Sequence, residues 1–288
     1  MRGWLIVNGF LNAEKYRELY SLLENAAKKR NITLEIKTND ALLHDVALDK
    51  TTPDLPDFAL FWDKDICLAK RLELLGVRLF NSAKAVEICD NKILTAIALN
   101  AAGVPMPKTV PAPKTFENVG YKNLAFVENA AKILGYPMVI KEAYGSFGAQ
   151  VYLAQNREEA FAIVQKIGHK EFLMQEFIAT SRGKDIRVNV VGGEVVSAML
   201  RVNDHDFRSN VTGGGKPQKT EITAAQAQAA IEACKAIGLD FAGVDILFGE
   251  NGTPLVCEVN SNPHFKSTLD CTGKDLSEEI LGYIMGQI

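Results

Sequence analysis

The stretch DILFGENGTPLVCEVNSN, residues 245–262, constrains the fold more than any other part of the chain. It reads as two apolar strands joined by a turn at Glu250-Asn251-Gly252. Asp245 opens the first strand, and Glu258 and Asn260 lie at the end of the return strand. Side chains alternate along a strand with period two, so Glu258 and Asn260 share a face. The neighbours Val244, Ile246, Leu255, Val256 and Val259 mark a buried hairpin. A carboxylate in such a place needs a partner cation. All three side chains are hard oxygen donors of the kind magnesium takes alongside phosphate oxygens and water. A carboxylate that bridges two ions can clamp both ends of a transferring phosphoryl group. Three polar residues capping a solvated strand end are the plain alternative.

The chain of 288 residues is long enough for more than one domain. With 47% apolar and 23% charged residues it has an ordinary globular composition. Its net charge of -3 supplies no basic field, which argues against a nucleic-acid partner. No apolar run reaches membrane-spanning length, and MRGWLIVNGF reads as a first strand rather than a leader. The five cysteines, at 67, 89, 234, 257 and 271, lack the spacing of a zinc site or redox motif. They read as small buried thiols in a reducing, cytoplasmic compartment.

Residues 1–85 alternate strand and helix. Strands are expected at 4–7, 33–36, 58–62 and 77–80, and helices at 13–30 and 66–75. Tyr16, Leu19, Tyr20, Leu23 and Ala27 form the apolar stripe of the first helix. This pattern predicts an open parallel α/β domain. Asn8-Gly9-Phe10 lacks the glycine spacing of a dinucleotide site. Helices at 82–88, 91–102, 123–134 and 158–167 follow, with strands at 137–141, 151–153 and 172–176. The last third is strand-rich, at 185–191, 195–202 and 244–260, with helices at 224–237 and 275–285. The expected class is α/β (α+β), divided into units 1–85, 86–177 and 178–288.

Two glycine-bearing turns stand out. Tyr144-Gly145-Ser146-Phe147-Gly148 bridges two strands, where backbone amides can approach a phosphate closely. Lys141, just before it, ends an apolar strand. The stretch GGGKPQK, 213–219, is no Walker loop, because Pro217 follows Lys216 where Ser or Thr is needed. Residues 202–217 read instead as a mobile polar loop carrying Arg208 and Asn210, with Arg201 just before it. Arginines there suit bidentate binding of oxyanions. Gln175-Glu176-Phe177-Ile178 leaves a strand for the polar turn Ser181-Arg182-Gly183-Lys184, a junction where a flat base can be sandwiched.

Taken in order, DNKILTAIALNAAGVPMPKT, LGYPMVIKEAYGSFGAQVYLAQN, QEFIATSRGKDIRVNVVGGEVVSAMLR, DFRSN and AGVDILFGENGTPLVCEVNSNP resemble the ATP-grasp fold. Within it they are most similar to the RimK-like amino-acid ligases. The resemblance spans roughly residues 85–288. It implies magnesium ligands at Asp245, Glu258 and Asn260, with Glu258 bridging two ions, and manganese as a substitute metal. It implies that Lys92 and Lys141 reach the ATP phosphates and the adenine region, that Ser146 binds ATP, and that Glu176, Phe177 and Ile178 serve the adenine. Asp185, Ser209 and Asn210 match nucleotide-contact positions, and Arg208, with Arg201 as companion, the catalytic arginines. The implied reaction joins a carboxylate to an amine through an acyl phosphate, with glutamate the favoured amine. The carboxylate partner is a small molecule, a peptide or a protein terminus, and a homo-oligomer is compatible with all of this. Where the group often has Asn-x-Ser-Pro-Gly, this chain has Asn260-Ser261-Asn262-Pro263-His264, so Asn262 and His264 stand on the substrate side as departures. A kinase that stops at phosphoryl transfer and a non-catalytic ATP-binding regulatory module are the rival functions.

Overall fold

The computed structural model describes residues 1–42, 54–145 and 148–288. Its first layer is a parallel sheet of β1 (Arg2–Val7), β2 (Thr33–Thr38), β3 (Phe58–Phe61) and β4 (Leu79–Phe80), ordered β2-β1-β3-β4. The crossovers include α1 (Glu14–Lys29) and α2 (Ile66–Leu74). α1 forms because its apolar residues recur at helical spacing. It buries Leu19, Tyr20, Leu23, Ala26 and Ala27.

Next come α3 (Ala83–Asp90) and α4 (Lys92–Ala101). The Asn91 side chain accepts from the amides of Ile93 and Leu94, at 2.9 and 3.3 Å, and so caps α4. That cap fixes Lys92 as the first helical residue. A second sheet, ordered β5-β8-β6-β7, holds β5 (Thr109–Pro111), β6 (Met138–Glu142), β7 (Val151–Ala154) and β8 (Phe172–Glu176). α5 (Ala125–Leu134) and α6 (Arg157–Ile167) cover it around Met138, Ile140, Phe172 and Met174.

The third sheet is antiparallel and five-stranded, ordered β11-β10-β9-β12-β13. Its strands are β9 (Lys184–Val191), β10 (Glu194–Val202), β11 (Lys216–Lys219), β12 (Phe241–Phe248) and β13 (Pro254–Asn260). α7 (Ala224–Ile237) starts with a capping box between Thr223 and Gln226 and packs on Val188, Val244 and Ile246. α8 (Lys266–Thr272) and α9 (Leu276–Gln287) complete the chain. α9 returns to α1, so Leu19 and Leu23 share one core with Phe241, Phe265, Ile280 and Ile284. No helix among the described residues is long and apolar enough to cross a membrane.

Three short elements differ from expectation. β11 falls in the stretch expected as a mobile loop. It is Lys-Pro-Gln-Lys, fully exposed, the composition of a protected edge strand rather than of a core one. β5 is three residues in a proline-rich segment, and α8 is seven residues between Pro263 and Gly273. Cys67 is exposed, whereas Cys89 and Cys234 are the buried thiols expected.

Candidate active site

A cleft with a cavity volume of about 100 Å³ opens between the second and third sheets. From the second sheet it is lined by Val139, Lys141, Gln175 and Glu176, and from the third by Asp185, Asp245, Leu247, Cys257 and Glu258. Phe177 and Ile178 form the junction, Lys92 enters from the start of α4, and Phe207, Arg208, Ser209 and Asn210 close one side. The structure therefore gathers eleven sequence-expected residues around one space: Lys92, Lys141, Glu176, Phe177, Ile178, Asp185, Arg208, Ser209, Asn210, Asp245 and Glu258. Ser146 lies outside the described residues. Arg201, Asn260, Asn262 and His264 do not line the cleft.

The hairpin holds the reason for the charge at its end. Asp245 sits opposite Glu258 on β13 and opposite Arg187 on β9. Asp185 on β9 sits opposite Arg201 on β10. Asp245 is only 2% exposed. Arg187 grips both its oxygens, Nη2 lying 2.9 Å from Oδ2 and Nε bonding Oδ1. Arg201 Nη2 lies 2.9 Å from the same Oδ2 and donates through Nε to Asp185 at 2.7 Å. Burial alone would push the Asp245 carboxyl up. The two guanidinium groups outweigh it and hold Asp245 below the usual carboxylate range. Arg201, expected as a catalytic companion, is thus a buried partner of two acids beneath the cleft floor.

Arg187 was not anticipated. The available signal was an acid and a base at i and i+2 of an otherwise apolar strand, Asp185-Ile186-Arg187-Val188, which places both on one face. Cys257 was also missed as a cleft residue. The register shifts between Asp245 and Ile246, where Glu258 and then Val256 are the partners, leaving Cys257 as the extra residue of a bulge. Its thiol then meets Lys141, Nζ lying 3.3 Å from Sγ.

Two cations cross the cleft to the glycine turn. Lys92 Nζ donates to the Gly145 carbonyl at 3.0 Å and lies 3.7 Å from Glu258 Oε1. Burial pushes the Lys92 ammonium down, against the opposing charge of Glu258. Arg208 Nη1 donates to the Gly148 carbonyl at 2.7 Å, while its Nη2 holds Asp206 at 2.7 Å. Gly148 has a φ of +73°, and a Cβ there would come 2.9 Å from Asn210 Oδ1. Gly148 therefore meets the segment 208–210 at the cleft. At the junction, Glu176 Oε1 accepts from the Lys108 amide at 2.7 Å, and the Phe177 and Phe207 rings lie edge to face at 6.4 Å.

The donor set suits magnesium in kind, since Asp245, Glu258 and Asn260 offer only oxygen. Its availability is uneven. Glu258 is partly exposed and Asn260 Nδ2 makes a 3.4 Å contact with the Gly243 carbonyl, leaving Oδ1 for an ion. Asp245 would have to share oxygens already held by Arg187 and Arg201. Asn262 donates to the Asp63 carbonyl at 3.1 Å, and His264 Nε2 sits 3.2 Å from the Lys15 carbonyl. Both belong to the seam with the parallel sheet.

A cleft between two antiparallel sheets, with Lys141 from one sheet and Lys92 from α4 set against acids of the other sheet, is the arrangement of the ATP-grasp fold. Residues 70–284 match the RimK-like ATP-grasp domain. N-acetylaspartylglutamate synthase A of Homo sapiens is 36% identical over 225 residues, covering 77% of this chain and 56% of that one. A probable alpha-L-glutamate ligase of Halorhodospira halophila is 36% identical over 218 residues, covering 75% and 69%. A RimK domain ATP-grasp protein from Sphaerobacter thermophilus superposes with a TM-score of 0.74 at 20% identity, over 98% of this chain and 99% of that one. The chain belongs to the RimK-like ATP-grasp family. It spans little more than half the length of the human relative.

Proposed function

We propose that this protein is an ATP-dependent carboxylate–amine ligase. A substrate carboxylate attacks the γ-phosphate of ATP, giving an acyl phosphate and ADP. An amine then attacks the acyl carbon, phosphate leaves, and an amide bond remains. The observation that carries the reading is the convergence of Lys92, Lys141, Arg208 and Glu258 on one cleft beside an apolar junction at Phe177 and Ile178. The lysines hold phosphate oxygens, and Arg208 meets the negative charge that grows on the acyl phosphate and its tetrahedral adduct. Glu176, Phe177 and Ile178 present backbone and apolar surface to the adenine. Asp185, Ser209 and Asn210 shape the nucleotide wall, and Ser146 is assigned to ATP binding from the family resemblance alone. Magnesium, with manganese as a substitute and Glu258 shared between two ions, would be held by Asp245, Glu258 and Asn260 and would offset phosphate charge. Arg201 acts from beneath by fixing Asp185 and Asp245.

The meeting of the Gly148 and Arg208 segments suits an intermediate that water would destroy. By the names of the relatives, L-glutamate is the favoured amine. The carboxylate is a small molecule, a peptide or a protein terminus. The units 1–85, 86–177 and 178–288 then serve as substrate-side, phosphate-side and metal-side parts of a cytoplasmic enzyme. A screen of ADP release against paired carboxylates and amines tests the reading. ADP formation that needs both partners, with amide detected by mass spectrometry, is the expected result. Release with a carboxylate or alcohol alone, and a stable phosphorylated product, would replace the ligase with a kinase.

A further inference from the structure

The seam between the parallel sheet and the hairpin holds a polar cluster that the ATP-side chemistry does not use. Asp63 follows β3, at the carboxyl end of the parallel strands, where open α/β sheets bind ligands. The residue is 6% exposed. Its Oδ1 accepts from the Lys64 amide at 2.7 Å and from Asn8 Nδ2 at 3.3 Å. Its Oδ2 is buried and has no partner among the described residues. Asn262 lies alongside, Nδ2 donating to the Asp63 carbonyl at 3.1 Å, and its Oδ1 is likewise buried and unpartnered among the described residues. The buried Asp63 and the partly exposed Asn262 beside it thus each hold one buried acceptor oxygen with no donor among the described residues. Unmet acceptors of this kind are costly, and for a carboxylate the cost is greatest.

Among the described residues the Asp63 charge is offset only in part, by the ammonium of Lys64. Lys64 turns its ammonium to Asp90, and Asp65 uses its carboxylate to cap α2. Burial, then the nearby Asp63 charge, pushes the Tyr20 phenol up to about 12. Burial also raises the Asp63 carboxyl itself. The cluster is joined to the cleft through its chain neighbours. Asn262 stands two residues beyond Asn260, and Asp90 stands two residues before Lys92, which faces Glu258.

We propose that Asp63 and Asn262 form the recognition site for the ammonium group of an amino-acid substrate, Asp63 Oδ2 and Asn262 Oδ1 each accepting one of its N–H bonds. The inference rests on the ligase reading and names the residues that select its amine partner. A divalent cation fits less well, since Asn8 Oδ1 already accepts from the Phe10 amide at 3.0 Å and, among the described residues, two side-chain oxygens of the cluster remain without a donor. The third N–H of the ammonium is left to point toward the hairpin end.

The test is calorimetric binding to the full chain with magnesium and ADP, using L-glutamate, L-aspartate and glycine. The matched probe 2-hydroxyglutarate keeps the carboxylates of glutamate and lacks the ammonium. Wild type should bind at least one amino acid, and 2-hydroxyglutarate at least about tenfold more weakly than glutamate. Asp63→Asn should weaken the amino acid about ten- to a hundredfold and Asn262→Ala less, with ADP affinity unchanged. Asp63→Asn should also melt at or above wild type, because it removes a buried carboxylate oxygen that has no donor among the described residues. Binding of no amino acid by wild type, equal binding by Asp63→Asn, or equal binding of the hydroxy acid would overturn the assignment. So would a fall in melting temperature that accompanies the lost binding, or the same heat signal from magnesium or potassium chloride alone. Amino-acid binding that depends on Asp63, without ADP release for any carboxylate, would keep the site and remove the ligase reading.

Discussion

At the scale of single residues, the row Arg201, Asp185, Arg187, Asp245 and Glu258 crosses four adjacent strands of one sheet. Its members differ in what they do for the fold. Arg187 and Asp245 are both buried, so removing Arg187 leaves the Asp245 charge in the interior with only Arg201, which Asp185 shares. Arg187→Ala should lose about 3–5 kcal/mol of stability in denaturant unfolding. Glu258 is partly exposed and faces Lys92 across 3.7 Å. Glu258→Gln should therefore keep the wild-type unfolding midpoint, while ADP release falls more than about a hundredfold. Near-normal turnover in that variant would remove Glu258 from the metal site. The sequence made the oxygen donors of the hairpin visible, because acids are rare in apolar strands. It did not make Arg187 visible as their partner, because that contact joins residues 58 positions apart. Nor did it reveal the bulge that turns Cys257 into the cleft, since a one-residue register shift leaves no local mark.

Among elements, legibility followed length and periodicity. α1, α7, β9 and the hairpin strands carry enough repeats to declare themselves. β5, β11 and α8 are too short for a pattern and owe their form to neighbours. One packing, α9 against α1, ties the far end of the chain to the first sheet. Glu278 of α9 accepts from Lys29 at 2.6 Å and from Arg30, whose Nη2 also reaches the Glu278 carbonyl at 2.8 Å. The hydrogen bond from Arg30, then that from Lys29, holds the Glu278 carboxyl below its ordinary value. A depressed carboxyl contributes its stability above the unfolded-state value, near 4.3. That contribution is lost as pH falls through the still lower folded value. Acidification from about pH 5 to 3 should narrow the difference in melting temperature between wild type and Glu278→Gln. Because Lys29 is well exposed, that difference at neutral pH should be on the order of 1 kcal/mol or less. A gap that widens on acidification would contradict the sign.

Across the whole molecule, three sheets share no strand, so the cleft between the second and third is spanned by side chains and loops. The contact of Gly148 with Arg208 and Asn210 is the most demanding of these, because it needs both a positive φ and a missing Cβ. Gly148→Ala should hold the two segments apart. In the proposed reaction the acyl phosphate would then meet water, and the ratio of ADP released to amide formed should rise several-fold above wild type. An unchanged ratio with a lower rate would mean that closure affects binding and not protection. Arg208→Ala should lower amide formation on the order of a hundredfold with little change in ATP affinity, the pattern of a contact made in the transition state.

The grip of Lys92 and Arg208 on the carbonyls of Gly145 and Gly148 has a further meaning for the ligand-free chain. A peptide carbonyl is a neutral acceptor held where a phosphate oxygen would come. The turn is therefore a tethered rival of the nucleotide, present at the high effective concentration that a covalent link confers. In the proposed reaction nucleotide would have to displace it, and its affinity would be the intrinsic one scaled by the fraction of molecules whose cations are free. The same carbonyls give no sequence-specific signal, so the strength of this self-occupancy depends on the backbone of the turn rather than on the side chains it displays.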